Sequence, residues 1–131
     1  SAASDVYKRQ VESLTLRLDV YRRIADIRNK EDSLDVKDEL KDRFGEIPES
    51  VLGLIDIALI RNCANAMGIY EIRQTDTNVL LFVKEIKSPK VIELLSRLNG
   101  RAMLSAGNKP YITIRCGGGS SLDMLKKVFK I

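Results

Sequence analysis

Glu39-Leu40-Lys41-Asp42-Arg43-Phe44-Gly45-Glu46-Ile47-Pro48 is the stretch on which the fold turns. It reads as the last turn of one helix, a glycine stop and the first turn of the next. Gly45 has no Cβ and so accepts the left-handed conformation that ends a helix. Pro48 has a preset φ and no N–H to lose, which suits the first position of the helix that follows. Phe44 and Ile47 flank the bend and clamp it by packing. The decamer alone is consistent with an ordinary corner between helices and with a functional surface.

Working back from the bend, the second helix starts after a polar turn, Asn29 to Asp32, with Asp32 or Ser33 as its cap. At about 100° per residue, Val36, Leu40 and Phe44 share one flank of it. Asp35, Asp38, Glu39 and Asp42 gather on another. Like charges four apart oppose each other, and Asp42 lies at the wrong end of the helix dipole. Such a stripe reads either as a solvated face or as a docking edge for basic side chains. Further back, Val11, Leu14, Leu18, Tyr21 and Ala25 recur in steps of three and four, the mark of an amphipathic helix running to about Ile27. A second stripe, Leu16, Val20, Ile24 and Ile27, gives that helix neighbours on more than one side. Arg17, Arg22, Arg23 and Arg28 are left for the surface or for ion pairs. Residues 1–10 are small and polar without a clear period, and are set aside as a tail.

Forward of the bend, a long helix runs from Pro48 to about Met67, apolar over most of its circumference, and is expected in the middle of a domain. Gly68 stops it. Residues 69–75 and Val79 to Val83 then form a hairpin around Asp76-Thr77-Asn78. Ser88-Pro89 caps and opens a helix with Val91, Leu94, Leu95 and Leu98 inward, ended by Asn99-Gly100. Arg101 to Ser105 and Tyr111 to Arg115 are two more strands. Ser120 or Ser121 caps a last helix with Leu122, Leu125, Val128 and Phe129 inward. The expectation is an α+β fold over residues 11–131. About three helices (11–68) pack with a ββαββα half (69–131) containing a small antiparallel sheet covered by helices on one face.

The 131 residues suffice for one domain with a core, and 44% hydrophobic with 31% charged content is globular. No stretch reads as a signal peptide or a membrane span, so a cytoplasmic protein without membrane contact is expected. Cys63 and Cys116 stand far apart and form no metal-ligand pattern, as buried free thiols do in a reducing compartment. The chain has no histidine, which removes the commonest acid–base catalyst and zinc ligand. No nucleophile–base arrangement emerges, so no enzyme, no metal and no cofactor are expected. Gly117-Gly118-Gly119 before a helix could cradle a phosphate, but no Lys-Ser/Thr pair follows and the spacing is not GxGxxG. The net charge of +4 is uneven: residues 1–50 balance at −2 and residues 51–131 at +6. The basic part leaves a second reading open, a nucleic-acid-binding accessory domain. Tyr70, Phe82 and Tyr111 are its only aromatic candidates for an open sheet face, without basic–aromatic interleaving.

Three blocks resemble the C-terminal domain of the bacterial transcription-repair coupling factor. They are Arg17-Leu18-Asp19-Val20-Tyr21-Arg22-Arg23-Ile24-Ala25, then Glu39-Leu40-x-Asp42-Arg43-Phe44-Gly45-x-Ile47-Pro48, then Arg61-x-x-Ala64 with Met67-Gly68-Ile69. The diagnostic part covers about Val11 to Ile69, and the ββαββα half agrees in pattern. The resemblance implies a parent protein that is an ATP-driven DNA translocase, displaces stalled RNA polymerase and recruits nucleotide excision repair. It implies that this domain is regulatory, docks on the UvrB-like N-terminal module of the same polypeptide, and masks the surface that binds UvrA. DNA is not an expected partner of the domain itself. The implied partner-binding residues are Glu39, Asp42 and Arg43, flanked by Asp35 and Asp38. The two carboxylates ahead of the bend are expected to face outward, free to meet basic side chains.

Overall fold

The computed structural model describes residues 2–131. Five helices and four strands follow in the order α1 (Ala2–Ala25), α2 (Lys30–Phe44), α3 (Glu49–Ala66), β1 (Ile69–Gln74), β2 (Asn78–Val83), α4 (Pro89–Leu98), β3 (Ala102–Ser105), β4 (Tyr111–Arg115) and α5 (Ser121–Val128). The architecture is α+β, with the anticipated ββαββα half. The chain divides into two compact units, one reaching to Ala58 and the other spanning Leu59–Ile131. That boundary falls inside α3.

In the first unit, α1 begins at Ala2, not near Val11, so residues 2–10, set aside on sequence, are helical. Ser1 of that tail lies outside the described residues. Small polar residues give no hydrophobic period, yet they are tolerated in a helix already nucleated downstream. Every residue from Ala2 to Asp19 is exposed, and burial on α1 begins with Ile24, followed by Ile27 just after it. α2 is capped by Asn29, not by Asp32 or Ser33. Asn29 has extended backbone and its Oδ1 accepts from the Asp32 amide at 2.8 Å. Asp32 Oδ2 in turn accepts from the Arg28 amide at 3.0 Å. The Asn29 oxygen satisfies one N–H that the helix start leaves unpaired, and the Asp32 carboxylate ties down the residue before the cap. Ser33 is instead buried, its hydroxyl donating to the Lys30 carbonyl at 2.6 Å.

The bend ends α2 as its glycine requires. Gly45 has φ 83 and ψ −138, a conformation open essentially to glycine alone, and its N–H donates to the Lys41 carbonyl at 2.9 Å. Pro48 stands one position before α3 rather than at its first residue, and its carbonyl accepts from Val51 and Leu52. α3 is also less enclosed than its composition suggests. Ile55, Ala58, Leu59, Ile60 and Ala64 are buried, whereas Leu54 and Ile57 remain exposed in line with Arg61.

In the second unit the four strands are antiparallel in the order β1-β2-β4-β3. Val79, Leu81, Val83, Ile112 and Ile114 point to one face, where they join Ile60 and Ala64 of α3, Val91 and Leu94 of α4, and Leu125 and Val128 of α5 in one core. Each fully buried valine, leucine or isoleucine among them contributes about 1.5–3 kcal/mol. Pro89 is the first residue of α4, as the Ser88-Pro89 pair predicts, though the Ser88 side chain makes no capping bond. Ser120 caps α5, accepting from the Asp123 amide. Arg97 of α4 donates to the Val128 carbonyl and ties the two covering helices together. Cys63 and Cys116 are free and half-buried rather than enclosed. The alternate residues of the sheet, among them Leu80, Phe82, Tyr111 and Thr113, face the side away from these helices.

Candidate functional site

The acidic stripe of α2 does not behave as a unit. A residue's exposure on this helix depends on its angle to the Val36–Leu40 seam, both of whose members are buried. Asp35, Asp38 and Asp42 are exposed, while Glu39, next to Leu40, is half-buried. Glu39 lies against α1. Arg23 donates to Glu39 Oε2 from Nε at 2.9 Å and from Nη2 at 2.7 Å. The hydrogen bond first, then the charge of Glu39, hold the Arg23 pKa above its ordinary value. Glu39 is therefore not the free outward carboxylate expected from the sequence. It is the α2 half of a bond between the first two helices.

Arg43, one turn further along α2, extends the same set. Its Nη1 stands 3.9 Å from Glu39 Oε1 and 3.8 Å from Asp19 Oδ2. Arg23, Glu39, Arg43 and Asp19 thus form an alternating row across α1 and α2. The Arg43 guanidinium also lies 5.1 Å from the centre of the Phe44 ring. Asp42 points away from this row, and among the described residues it forms no ion pair. Asp35 borders a small cleft with Arg23, Asp26 and Asp32, and Asp38 makes no ion pair among the described residues. Of the predicted group, the structure brings Glu39 and Arg43 together and leaves Asp42 and Asp38 to solvent.

Beside the bend lies a groove of about 340 Å³ within the first unit. Leu16, Val20 and Tyr21 of α1 form one wall, and Leu40, Phe44, Ile47 and Pro48 form the other. Phe44 is 48% exposed, so the apolar clamp read from the sequence is only half used by the fold. The groove carries Arg17 and Glu46 at its edge. An apolar slot rimmed by Arg17 and Glu46 can receive an apolar side chain flanked by a charged group, while Asp42 lies on another flank of α2, outside the lining. Two parts were not anticipated from the sequence: Arg23 as the partner of Glu39, and Phe44 as an open wall. Arg23 is one of five arginines on or just beyond α1, and only the packing of α1 on α2 selects it. Among the described residues there is no cluster of three or more side chains suited to a metal, and no helix is long and apolar enough to cross a membrane.

Comparison with known proteins adds the following. The family model described as TRCF domain matches residues 7–94. The transcription-repair-coupling factor of Rickettsia typhi is 30% identical over 101 residues, which is 76% of this chain and 9% of the relative. That of Escherichia coli K12 is 37% identical over 59 residues, 45% of this chain and 5% of the relative. The chain therefore spans less than a tenth of the curated relatives it matches. A crystal structure of the C-terminal domain of transcription-repair coupling factor superposes with a TM-score of 0.72 at 19% identity, covering 86% of this chain and 73% of that one.

Proposed function

This chain belongs to the TRCF domain family, and from that premise we propose that it is the non-catalytic, autoinhibitory docking domain of a transcription-repair coupling factor. The TRCF domain is a small C-terminal domain and not a motor domain. In this reading residues 11–131 form one such domain within a longer cytoplasmic polypeptide, an ATP-driven DNA translocase that removes stalled RNA polymerase and recruits nucleotide excision repair. The domain docks on the UvrB-like module of the same polypeptide and masks the surface that UvrA would bind.

The observation that carries this reading is Asp42 in the last turn of α2, exposed and without an ion pair among the described residues; a half-open apolar groove lies on the other flank of the same bend. Asp42 meets a cation of the partner, and Phe44 with the groove receives an apolar neighbour. Glu39 orients Arg43 through their shared row while holding α2 to α1. A mask must release as well as bind. Charged groups at an interface rim supply register and on-rate more than affinity. Residence in one polypeptide raises the effective concentration, so weak contacts suffice.

The test is a salt titration of this chain against the isolated UvrB-like module. Binding that weakens with salt and is lost on Asp42→Lys supports the reading. Full binding by a double variant, Asp42→Lys with Arg43→Glu, would place the docking surface elsewhere.

A further inference from the structure

The sheet of the second unit has one face packed under helices and one face that carries an aromatic row. Tyr70, Phe82 and Tyr111 come from β1, β2 and β4, three adjacent strands. Phe82 and Tyr111 are register partners, so their side chains share a face, and that face is opposite Leu81 and Ile112 of the core. A register shift between Ile69 and Glu71 lets Tyr70 join them. Ring centres are 6.2 Å apart for Tyr70 and Phe82, and 5.3 Å for Phe82 and Tyr111. The interplanar angles are 46° and 43°, so the rings are tilted on one another and not stacked in parallel, and Tyr111 is half-buried. Phe82 is 8% exposed and Tyr70 49%: the phenylalanine is the floor and the tyrosines stand on either side of it.

Cations accompany the rings. Arg73 lies 4.8 Å from the centre of the Phe82 ring, held there by Glu71 at 2.6 Å. Arg115 follows Tyr111 and Thr113 on the same face of β4 and is exposed. Lys84, just after β2, and Lys109, just before β4, are exposed at the end of the sheet where the aromatic row sits. Across Leu59–Ile131 twelve basic side chains face five acidic ones, a balance of +7. The basic–aromatic combination that the linear sequence does not display is assembled by strand pairing.

We propose that this open sheet face binds single-stranded nucleic acid, with successive bases stacked on Tyr70 and Tyr111 and the backbone phosphates met by Arg115, Lys84 and Lys109. Flat aromatic faces on a sheet accept any base, because every base has a π-face, and flanking cations hold the strand. The chemistry suits an unpaired strand and not a duplex, whose bases are stacked on one another. The site belongs to the second unit and stands independently of the docking reading.

The test is fluorescence anisotropy of a labelled oligothymidylate of about 20 nucleotides with the full 131-residue chain at low salt. Saturable binding is expected, with a double-logarithmic salt slope of about −2 for three phosphate contacts. Tyr70→Ala with Tyr111→Ala weakens it about tenfold or more. Tyr70→Phe with Tyr111→Phe keeps the rings and leaves affinity within about twofold, which separates stacking from any loss of fold. Absence of binding, equal affinity for the duplex, or an alanine pair as tight as the parent overturns the proposal. So does loss of binding on Lys126→Gln with Lys127→Gln on α5 while the tyrosine variants remain silent.

Discussion

Glu39 and Asp42 stand three positions apart on one helix, and the fold gives them different work. Glu39 faces Arg23 at 2.7 Å, whereas Asp42 faces solvent. On the proposed docking reading, Asp42→Lys is expected to weaken binding to the UvrB-like module about tenfold or more and to leave the thermal midpoint unchanged. Glu39→Lys sets a cation against Arg23 and lowers the thermal midpoint as well, and calorimetry on the two variants separates the roles. Equal midpoints for both would mean that the Arg23–Glu39 bond contributes nothing to the α1–α2 contact. Gly45 is the other residue whose role is set at this scale. A Cβ there would meet no atom within 4 Å, so the cost of Gly45→Ala is conformational and not steric. With φ at 83, that substitution is expected to cost about 1–3 kcal/mol by urea denaturation. The bend was legible because only glycine is free to adopt it. The partner of Glu39 was not, because an ion pair spanning sixteen positions leaves no trace in the linear pattern.

At the scale of elements, periodicity located all the helices and strands, and the errors lie at their ends. α2 is capped by Asn29, whose side chain accepts from the Asp32 amide while the Asp32 carboxylate accepts from the Arg28 amide; Asp32 and Ser33 compete with Asn29 as capping residues on paper. Asn29→Ala is expected to cost about 1 kcal/mol in a urea melt, whereas a change at either rival cap would act through other bonds. α1 extends back to Ala2 because helix propagation needs no hydrophobic stripe. α3 looked apolar all round, yet Leu54 and Ile57 are exposed, since composition does not state how many sides of a helix have neighbours. The two faces of the sheet differ in the same way. Leu81 is 0% exposed under the helices, while Leu80, next along β2, faces the open side and is half-buried. Leu81→Ala is expected to destabilise by about 2–5 kcal/mol and Leu80→Ala by clearly less, read from denaturation midpoints. Similar losses at both positions would mean that the open face is covered.

At the scale of the molecule, the division into units falls within α3, so the last turns of that helix belong to the core beneath the sheet. Ile60 and Ala64 pack with Val79, Leu81 and Ile112. A chain covering residues 49–131 is therefore expected to unfold at higher urea than one covering 69–131, which matches the textural break at Gly68 but lacks both side chains. Coincident midpoints would show that α3 adds nothing to the second core. The order and type of the elements, the glycine bend, the α+β class and the family can be read from the linear chain, because periodicity, turn chemistry and motif spacing are local properties. Which carboxylate is neutralised, the groove that Phe44 opens, and the joining of Tyr70, Phe82 and Tyr111 into one surface come from packing alone. Those are contacts between residues far apart in the chain, and they exist only once helix packing and strand register have fixed which side chains meet.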